Sequence, residues 1–366
     1  MKDAAPSPGT VTGRRRTRRR RRRPGQFCYK PLHQAIQEVL NAHNDRHAWR
    51  NKAVSYQTRE DRAKRIHRFY ARAVALGFPI ERPDQIDGKH VEAVIRAMAE
   101  EGLSVAYIDS TLSDIRTFCR WIGRDGVVRT NWRYHQIFDL PKRSIVAKSD
   151  RTWSGNGVDI EAVIARVTAY DPWCGLALEL QFAFALRVKE SLMFHPDDPH
   201  NSLGLLIERG TKGGRPRDFP FTVERQREIL EKAKRMVAEK RKTHPDSHHA
   251  GPPGRTLKQA YSHFYYVLGR CGITKKMLNV SAHGLRHEYA NQAYQRQTGI
   301  PSPIRGGPAI DREIDRRARL GVATHLGHGR RQISGAYLGG VLRSPRVLDG
   351  APDPVPDEPD DTLPGE

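Results

Sequence analysis

The sequence predicts a mainly α-helical protein with a small β-sheet, divided into two domains. Its 366 residues are enough for two domains, each with its own core. Apolar residues recur at spacings of three and four along most of the chain, which is the helical period. The exception is a short apolar run, 205–207, that a glycine-rich turn separates from a second short run at 218–221. Two such runs predict a β-hairpin.

The charge balance favours a polyanionic partner. The chain carries 63 Lys and Arg against 41 Asp and Glu, a formal net charge of +22. Residues 1–24 contribute +9 and residues 349–366 contribute −7, which leaves +20 on residues 25–348. Nucleic acid is the usual partner of a folded body with such a surplus, and its binding should weaken steeply as the salt concentration rises. The alternative is a generic basic protein.

Several other classes of protein do not fit the sequence. No stretch approaches the roughly 18 apolar residues that cross a bilayer. Arginines stand where a secretory signal would have an apolar segment. The cysteines, Cys28, Cys119, Cys174 and Cys271, are far apart and form no CxxC pair, which argues against a zinc ribbon and a disulfide scaffold. We therefore expect a cytoplasmic protein without a membrane partner, associated with the nucleoid when it binds DNA.

We expect five segments along the chain. Residues 1–24 are rich in arginine and should be disordered, either as a non-specific DNA arm or as a solvated tail; a mis-assigned start codon is a further alternative. Residues 25–125 should form a helical domain, and residues 157–348 a second domain. Residues 126–156 show no sustained period and should be an extended basic linker between them. Residues 349–366 are rich in Pro and Asp and should be disordered.

Four apolar faces predict four helices in the first domain. The second of these helices, from about Arg59 to Leu76, carries much of the positive charge. Its side chains Arg59, Arg62 and Arg65 are candidates for contacts with a DNA backbone, and an ordinary solvated helix face is the alternative. The apolar faces are marked by residues 32–40, 66–74, 91–98 and 108–122.

The second domain should also be mainly helical, with the hairpin in its first half. Residues 297–319 contain several Pro and Gly followed by a charged run, and we interpret them as an insertion. The predicted helices lie near residues 160–167, 176–193, 223–241, 257–271 and 283–294.

Four separated segments of the second domain form one pattern. Residues 185–192 read Ala-Leu-Arg-Val-Lys-Glu-Ser-Leu, and residues 211–216 read Thr-Lys-Gly-Gly-Arg-Pro. Residues 283–287 read His-Gly-Leu-Arg-His, and residues 326–328 read Leu-Gly-His, nine residues before Tyr337. Each segment alone is a weak signal. Together and in this order they resemble the tyrosine recombinase (phage integrase) family.

The resemblance covers about residues 155–345 and implies a tyrosine-recombinase-like catalytic domain there. The helical domain upstream is similar to the family's core-binding domain in size and character. One departure is the stretch of 41 residues between Arg286 and His328, which is longer than the family usually has. It leaves the order of the motifs unchanged.

The residue types suit phosphodiester chemistry, which needs a nucleophile, cations for the phosphate oxygens and proton donors. Arg187 and Arg286 suit the phosphate, because a guanidinium group binds two oxygens at once and stays charged. An arginine in an apolar helix needs a partner, and Glu190, one turn further on, is placed to hold Arg187. An ion pair without catalytic meaning is the alternative. His283 shares a helix face with Arg286 and can reach the same phosphate.

The resemblance implies further roles. Tyr337 corresponds to the family's nucleophile, His328 to a hydrogen-bond donor in the site, and His283 to a general acid or base. Lys212 corresponds to the lysine that protonates the departing 5′ oxygen; an ordinary solvated turn is the alternative, and Lys189 is a less favoured candidate for the same role. We expect His287 to support the site by packing.

The activity that the resemblance implies is site-specific DNA recombination by the integrase of a mobile element, through a 3′-phosphotyrosyl intermediate. No metal or other cofactor is expected. The expected partners are double-stranded DNA, which Arg215 in the hairpin should contact, three further copies in a homotetramer on two duplexes, and an accessory DNA-bending protein as a candidate. The alternatives are a type IB topoisomerase or resolvase-like enzyme, a DNA-binding protein of the same fold without cleavage, and a structural basic protein.

Overall fold

The computed structural model describes residues 30–47, 53–198, 200–328 and 330–341. The chain divides into two compact units, residues 1–143 and residues 144–366. The predicted tails, residues 1–24 and 349–366, and Cys28 lie outside the described residues. No helix in the described part of the chain combines the length and the apolar character that crossing a bilayer requires.

The described part of the first unit is helical. Serine side chains cap two of its helices: the Ser55 Oγ accepts from the Thr58 amide, and the Ser104 side chain accepts from the Tyr107 amide. The apolar residues of the predicted faces are buried in one core, where α2 packs against α3 and α4. The helices are α1 (Lys30–His43), α2 (Tyr56–Ala75), α3 (Gly88–Glu100), α4 (Val105–Trp121) and α5 (Asn131–Ile137).

Helix α5 departs from the extended linker predicted for residues 126–156. The Thr130 side chain caps this helix, and Tyr134 is fully buried in the core of the first unit. Phe138 and Leu140 also pack against that core. The division between the units falls at residues 143 and 144, within the predicted linker. Two turns of helix were too short to give a readable period in the sequence.

The described part of the second unit is mainly helical and contains one antiparallel strand pair, in which Leu205 lies opposite Phe219. The predicted fold class, mainly α with a small β-sheet, is therefore confirmed. The elements are α6 (Ile160–Tyr170), α7 (Pro172–Phe184), α8 (Val188–Leu192), β1 (Gly204–Ile207), β2 (Arg217–Pro220), α9 (Glu224–Arg241), α10 (Leu257–Arg270), α11 (Lys275–Leu278), α12 (His283–Thr298), α13 (Arg312–His325) and α14 (Gly335–Leu338).

Helix α12 lies between two apolar cores of the second unit. Its Leu285 packs with residues of α6 and α10, such as Val163 and Phe264. Its Tyr289 and Ala290 pack with residues of α7, α9, the hairpin and α13. A helix that packs on both sides holds its buried side chains in fixed positions, because interiors are close-packed.

The helix predicted from 176 to about 193 is broken in the middle. Helix α7 ends at Phe184, and Ala185 adopts the left-handed region with φ 52°. Arg187 is extended, and its amide donates to Glu190 Oε2 at 2.9 Å, which starts α8. Arg187 therefore precedes a short helix instead of lying inside a long one. The break was hidden because the buried apolar run continues through it.

The insertion predicted for residues 297–319 is shorter in the structure. Helix α13 begins at Arg312 and packs on α12, and two of its charged residues, Asp315 and Arg319, are buried in the unit. Asp315 accepts from the Tyr294 hydroxyl at 2.7 Å and from Arg319 Nε at 2.8 Å. The connection that remains between the helices is residues 299–311, where the Ser302 hydroxyl donates to the Asn291 side chain.

Candidate active site

Arg286 is the most enclosed side chain of the site. It lies on α12, is 0% exposed, and donates from all three guanidinium nitrogens. Nη1 donates to the carbonyl of Ala185 and Nη2 to the carbonyl of Leu326. Nε lies 3.3 Å from the hydroxyl oxygen of Tyr337. Burial lowers the pKa of Arg286 to about 10, which still leaves it charged at neutral pH. The break after α7 and the end of α13 thus fix this cation.

Tyr337 is buried on α14, and its hydroxyl oxygen has two partners. Besides Arg286 Nε, His328 Nε2 lies 3.3 Å from it. The backbone around Tyr337 is also held: Asn291 Nδ2 donates to its carbonyl at 3.3 Å. Arg319 Nη1 donates to the carbonyl of Gly339 at 3.0 Å. The Tyr337 hydroxyl is therefore held from both the side chain and the main chain.

Three histidines surround the Tyr337 ring, with ring centroids at 6.0 Å for His283, 4.6 Å for His287 and 5.9 Å for His328. Partial loss of solvent, followed by nearby positive charge, lowers the pKa of the exposed His283 and lowers the pKa of the half-buried His328 to about 4. The same loss of solvent, followed by the charges of His283 and nearby arginines, lowers the pKa of His287 to about 3. All three are neutral at pH 7, so a His328 tautomer with its lone pair on Nε2 can accept the phenolic proton.

Glu190 joins two arginines. Arg187 Nη1 donates to Glu190 Oε1 at 2.5 Å. Arg217 donates to both carboxylate oxygens, from Nη1 at 3.2 Å and from Nη2 at 2.9 Å. Burial alone would raise the pKa of Glu190, but the hydrogen bonds and charges of Arg217 and then Arg187 bring it down to about 2. The predicted contact of Glu190 with Arg187 is present, with a second arginine on the carboxylate.

Arg217 was absent from the residues that the sequence singled out. It is the first residue of β2 and is 7% exposed. The strand alternates between buried and exposed positions, and Arg217 shares its buried face with Phe219. That alternation was the available signal: a charge in phase with a buried aromatic residue has to meet a partner inside.

The hairpin residues lie at the surface. Lys212 is exposed in a 3₁₀ turn between β1 and β2, and its charge contributes to the lowered pKa of His328. Arg215 is exposed in the same turn, and Lys189 is exposed on α8. The structure brings Arg187, Glu190, His283, Arg286, His287, His328 and Tyr337 together, and it leaves Lys212 at the edge of this group.

One candidate for DNA contact is internal. Arg62 is buried in the first unit, where Nη1 donates to Asn44 Oδ1 at 3.2 Å and to the carbonyl of Arg46 at 3.3 Å. The predicted DNA contact of Arg62 is therefore wrong, because these bonds hold its side chain inside the unit. Arg65 is half-buried and paired with Asp114 at 2.5 Å, and Arg59 is half-buried with Nε 3.3 Å from the carbonyl of Val54.

Three potential metal ligands lie together in the second unit, away from the residues above in sequence: Asp171, Cys174 and His263. Their proximity follows from helix capping. Asp171 Oδ1 accepts from the amides of Trp173 and Cys174, and Oδ2 lies 2.7 Å from His263 Nε2. This group carries no part of the site described here.

Two family models match the chain. The model described as phage integrase, N-terminal, matches residues 42–128, and the model described as integrase matches residues 146–292. The second range includes Arg187, Arg286 and the hairpin, and it ends before His328 and Tyr337. No curated protein has significant similarity to the chain.

Solved structures of integrases share the fold. A lambda integrase dimer bound to a COC′ core site has 16% identity over 86% of this chain and 80% of its own, with a TM-score of 0.54. The Tn1549 transposon integrase in complex with transposon right end DNA has 12% identity over 85% of this chain and 95% of its own, with a TM-score of 0.53. The two family matches together span more than half of the chain, and the chain belongs to the tyrosine recombinase (phage integrase) family.

Proposed function

We propose that this protein is a site-specific DNA recombinase, the integrase of a mobile element, that cuts and rejoins DNA through a covalent link to Tyr337. The observation that carries the proposal is the Tyr337 hydroxyl, held 3.3 Å from a buried arginine nitrogen and 3.3 Å from a neutral histidine. A phenol between a cation and a proton acceptor is prepared to become a nucleophile.

In the first step the Tyr337 oxygen attacks the scissile phosphorus, and the bond from phosphorus to the 5′ oxygen breaks. The phenolic proton passes to His328, and the new bond is a 3′-phosphotyrosyl ester. An ordinary phenol has a pKa near 10, so ionising it at pH 7 costs about 4 kcal/mol. Arg286 lowers that cost because its charge stabilises the phenolate.

The arginines stabilise the phosphorane-like transition state, in which negative charge builds on the non-bridging oxygens. Arg187 reaches the surface and can contact a phosphate at the mouth of the site, whereas Arg286 is fully buried beside the Tyr337 oxygen and acts through its charge. Preorganised cations of this kind are often the largest contribution to such catalysis. Glu190 and His287 hold the site in place.

The departing 5′ oxygen needs a proton. The candidate donors are Lys212 and, once a bound phosphate has raised its pKa and protonated it, His283. Lys212 lies on an exposed hairpin turn that can follow the DNA, and His283 lies at the surface beside the site. The free 5′ hydroxyl of a partner strand then attacks the phosphotyrosine and reverses the step. Bond energy is conserved, so no energy-rich cofactor is required.

The partner in this proposal is duplex DNA, and the assembly is a homotetramer on two duplexes. The net charge of +20 on residues 25–348 supports a DNA partner. Similar folds have been solved on DNA, namely a lambda integrase dimer on its core site and the Tn1549 integrase on a transposon end. Arg59, Arg65 and Arg215 stay predicted DNA contacts, and an accessory DNA-bending protein stays a candidate partner.

A covalent trap tests the proposal. The protein is incubated with duplexes from the ends of its own genetic element, nicked near the candidate site, and the products are separated on a denaturing gel. The expected result is a protein–DNA adduct carrying a 3′ phosphotyrosine, absent in Tyr337→Phe. Tyr289→Phe is the matched control, since it removes another buried hydroxyl that pairs with a histidine, here at 3.0 Å from His325 Nδ1.

Three outcomes would contradict the proposal. No adduct despite tight, specific binding would indicate a DNA-binding protein without cleavage. An adduct in Tyr337→Phe would place the nucleophile elsewhere. Relaxation of supercoiled DNA without strand exchange would indicate a topoisomerase.

A further inference from the structure

The site contains more positive charge than the residues predicted for it. Arg187, Arg217 and Arg286 are three cations around one carboxylate, Glu190. Arg187 and Arg217 both lower the pKa of Arg286, which shows that the three charges act on one another. These four side chains therefore carry a net charge of +2 in a largely buried space.

The contacts of Arg217 explain how this excess is maintained. Both oxygens of Glu190 accept from Arg217, from Nη1 at 3.2 Å and Nη2 at 2.9 Å. Two parallel donors are the strongest arrangement between a guanidinium and a carboxylate. Because Arg217 already neutralises Glu190, the positive charge of Arg187 is not cancelled by that carboxylate.

Arg217 also contacts the turn that presents His328. A Cβ at Gly327 would lie 2.9 Å from Arg217 Cδ, so the stem of the arginine runs against the backbone of that turn. Gly327 has φ +66°, a conformation that favours glycine. Arg217 thereby touches the carboxylate that holds Arg187 and the turn that holds His328.

We propose that Arg217 is a positioning residue for phosphate binding: it is the counter-ion of Glu190, and it leaves the guanidinium of Arg187 available to an anionic phosphate. This inference rests on the proposed function and assigns a role to a residue outside the predicted catalytic set. Arg217 itself is too buried to meet the substrate, so it acts through Glu190 and Arg187.

The proposal makes a chemical prediction about the substrate. A missing phosphate-binding charge matters less when the phosphate has no charge of its own, as in a methylphosphonate. A missing proton donor matters less when the leaving group needs no proton, as in a 5′-bridging phosphorothiolate. The two substrates therefore separate an effect through Arg187 from an effect through the Lys212 hairpin.

The main variant is Arg217→Met, which keeps the stem against Gly327 and removes the charge. Arg217→Lys keeps the charge and loses the two parallel donors, and it serves if the methionine variant does not fold. Arg62→Met is the matched control, because it removes a buried guanidinium from the first unit. Single-turnover cleavage is measured with nicked duplexes that carry each of the three phosphate types.

We expect Arg217→Met to cleave the ordinary phosphate about 100-fold more slowly than the unmodified protein, because a shifted phosphate-binding group costs roughly that much. DNA affinity should change little. The difference in cleavage rate between the two proteins should largely disappear on the methylphosphonate and persist on the phosphorothiolate. Arg62→Met should show no such dependence on the phosphate. An unchanged rate on the ordinary phosphate, or a rate difference that disappears on the phosphorothiolate alone, would overturn the proposal.

A second measurement does not depend on cleavage. The free energy of unfolding is measured against pH for Arg217→Met, for Glu190→Gln and for the double variant. Without Arg217, burial should raise the pKa of Glu190, so the stability lost in Arg217→Met should shrink as the pH falls. The Arg217→Met change should be independent of pH in the Glu190→Gln background. Equal, pH-independent losses in both backgrounds would overturn the pairing.

These two measurements separate the possible failures. A protein that forms no adduct with any of the three substrates contradicts the proposed function. In that case protection against thermal unfolding by orthovanadate, a mimic of the phosphate transition state, still tests the role of Arg217. Protection that is present in the unmodified protein and weakened in Arg217→Met supports the role, and equal protection in both proteins contradicts it.

Discussion

Nε2 of His328 lies 3.3 Å from the hydroxyl oxygen of Tyr337. The histidine follows α13 and the tyrosine belongs to α14, so a short connection joins the proposed proton acceptor to the proposed nucleophile. The pKa of His328 is lowered to about 4 by loss of solvent and by nearby positive charge, including that of Arg286. The imidazole is therefore neutral and ready to accept a proton, but its protonated form is disfavoured until negative charge arrives.

The first prediction concerns His328→Gln, which keeps hydrogen-bonding groups and loses the ability to take a proton. We expect cleavage to slow by about 10²- to 10⁴-fold, the usual contribution of general acid–base catalysis. The loss should diminish as the pH rises, because hydroxide can replace the missing base. The measurement is the pH profile of single-turnover cleavage. His325→Gln is the control, and a His328→Gln profile parallel to that of the unmodified protein would exclude His328 as the base.

The second prediction contrasts the two arginines that are proposed to stabilise the transition state. Arg286→Ala strands the carbonyls of Ala185 and Leu326 inside the unit, so it should cost about 3 kcal/mol in the free energy of unfolding. Arg187→Ala leaves Glu190 paired with Arg217 and should cost under about 1 kcal/mol. Both should slow cleavage by roughly 10²- to 10³-fold. Chemical denaturation and cleavage rates check this, and a normal rate in either variant would remove that arginine from the site.

The third prediction concerns stability and pH. The folded-state pKa of His287 is about 3, below the ordinary value of 6.5, so the unfolded chain binds the proton more readily. The contribution of His287 to the free energy of unfolding is therefore complete above pH 6.5 and is lost as the pH falls towards 3. Between pH 7 and pH 5 this histidine alone should cost about 2 kcal/mol. Urea denaturation at both pH values should show a smaller difference in His287→Gln, and an identical difference would contradict the argument.

The carboxylate of Glu190 extends this dependence to lower pH. Its folded-state pKa is about 2 against an ordinary 4.5, so its contribution is complete above pH 4.5 and is lost as the pH falls through 2. The loss of stability in acid should thus begin with His287 and continue with this carboxylate.

The fourth prediction is proton uptake when DNA binds. A phosphate in the site neutralises the positive charge that lowers the pKa of His283 and His328. Their pKa values should rise, and protons should be taken up near pH 6. Calorimetric titrations in two buffers of different ionisation enthalpy measure this uptake. A duplex with a methylphosphonate at the scissile position is the control and should give less uptake, whereas equal uptake would place the effect outside the site.

The fifth prediction concerns the nine arginines of residues 1–24. Their deletion should flatten the dependence of DNA affinity on salt, because each neutralised phosphate releases condensed counterions. Deletion of the acidic residues 349–366 is the control and should not flatten it. An unchanged slope after deletion of residues 1–24 would remove them from DNA binding.

Much of the fold followed from regular patterns. Helices α2 and α4 and the strand pair were predicted from period and turn residues alone. The residues brought together in the site were named from four ordered motifs, although nothing in those motifs indicated the 3.3 Å distances around Tyr337. Distances depend on how α12, α13 and α14 pack, and packing is a property of the whole chain.

The features that the sequence did not disclose have a common cause. The left-handed turn at Ala185 lies inside an uninterrupted apolar run, and its carbonyl accepts from Arg286, 101 residues further along. Arg62 and Arg217 are charged residues that find their partners only through tertiary contacts. A pattern of local spacings describes neither a distant donor nor a buried ion pair, because both depend on the final fold.

The anchoring of α14 within its own chain predicts how two different defective variants behave when both are present in one cell. Asn291 and Arg319 of the same chain hold the backbone at Tyr337 and at Gly339, so the tyrosine and the arginine that faces it come from one polypeptide. In genetic terms, two defective alleles, one at Tyr337 and one at Arg286, should fail to complement each other in the same cell. Competence for catalysis is then a property of each protomer, however many protomers gather on the DNA.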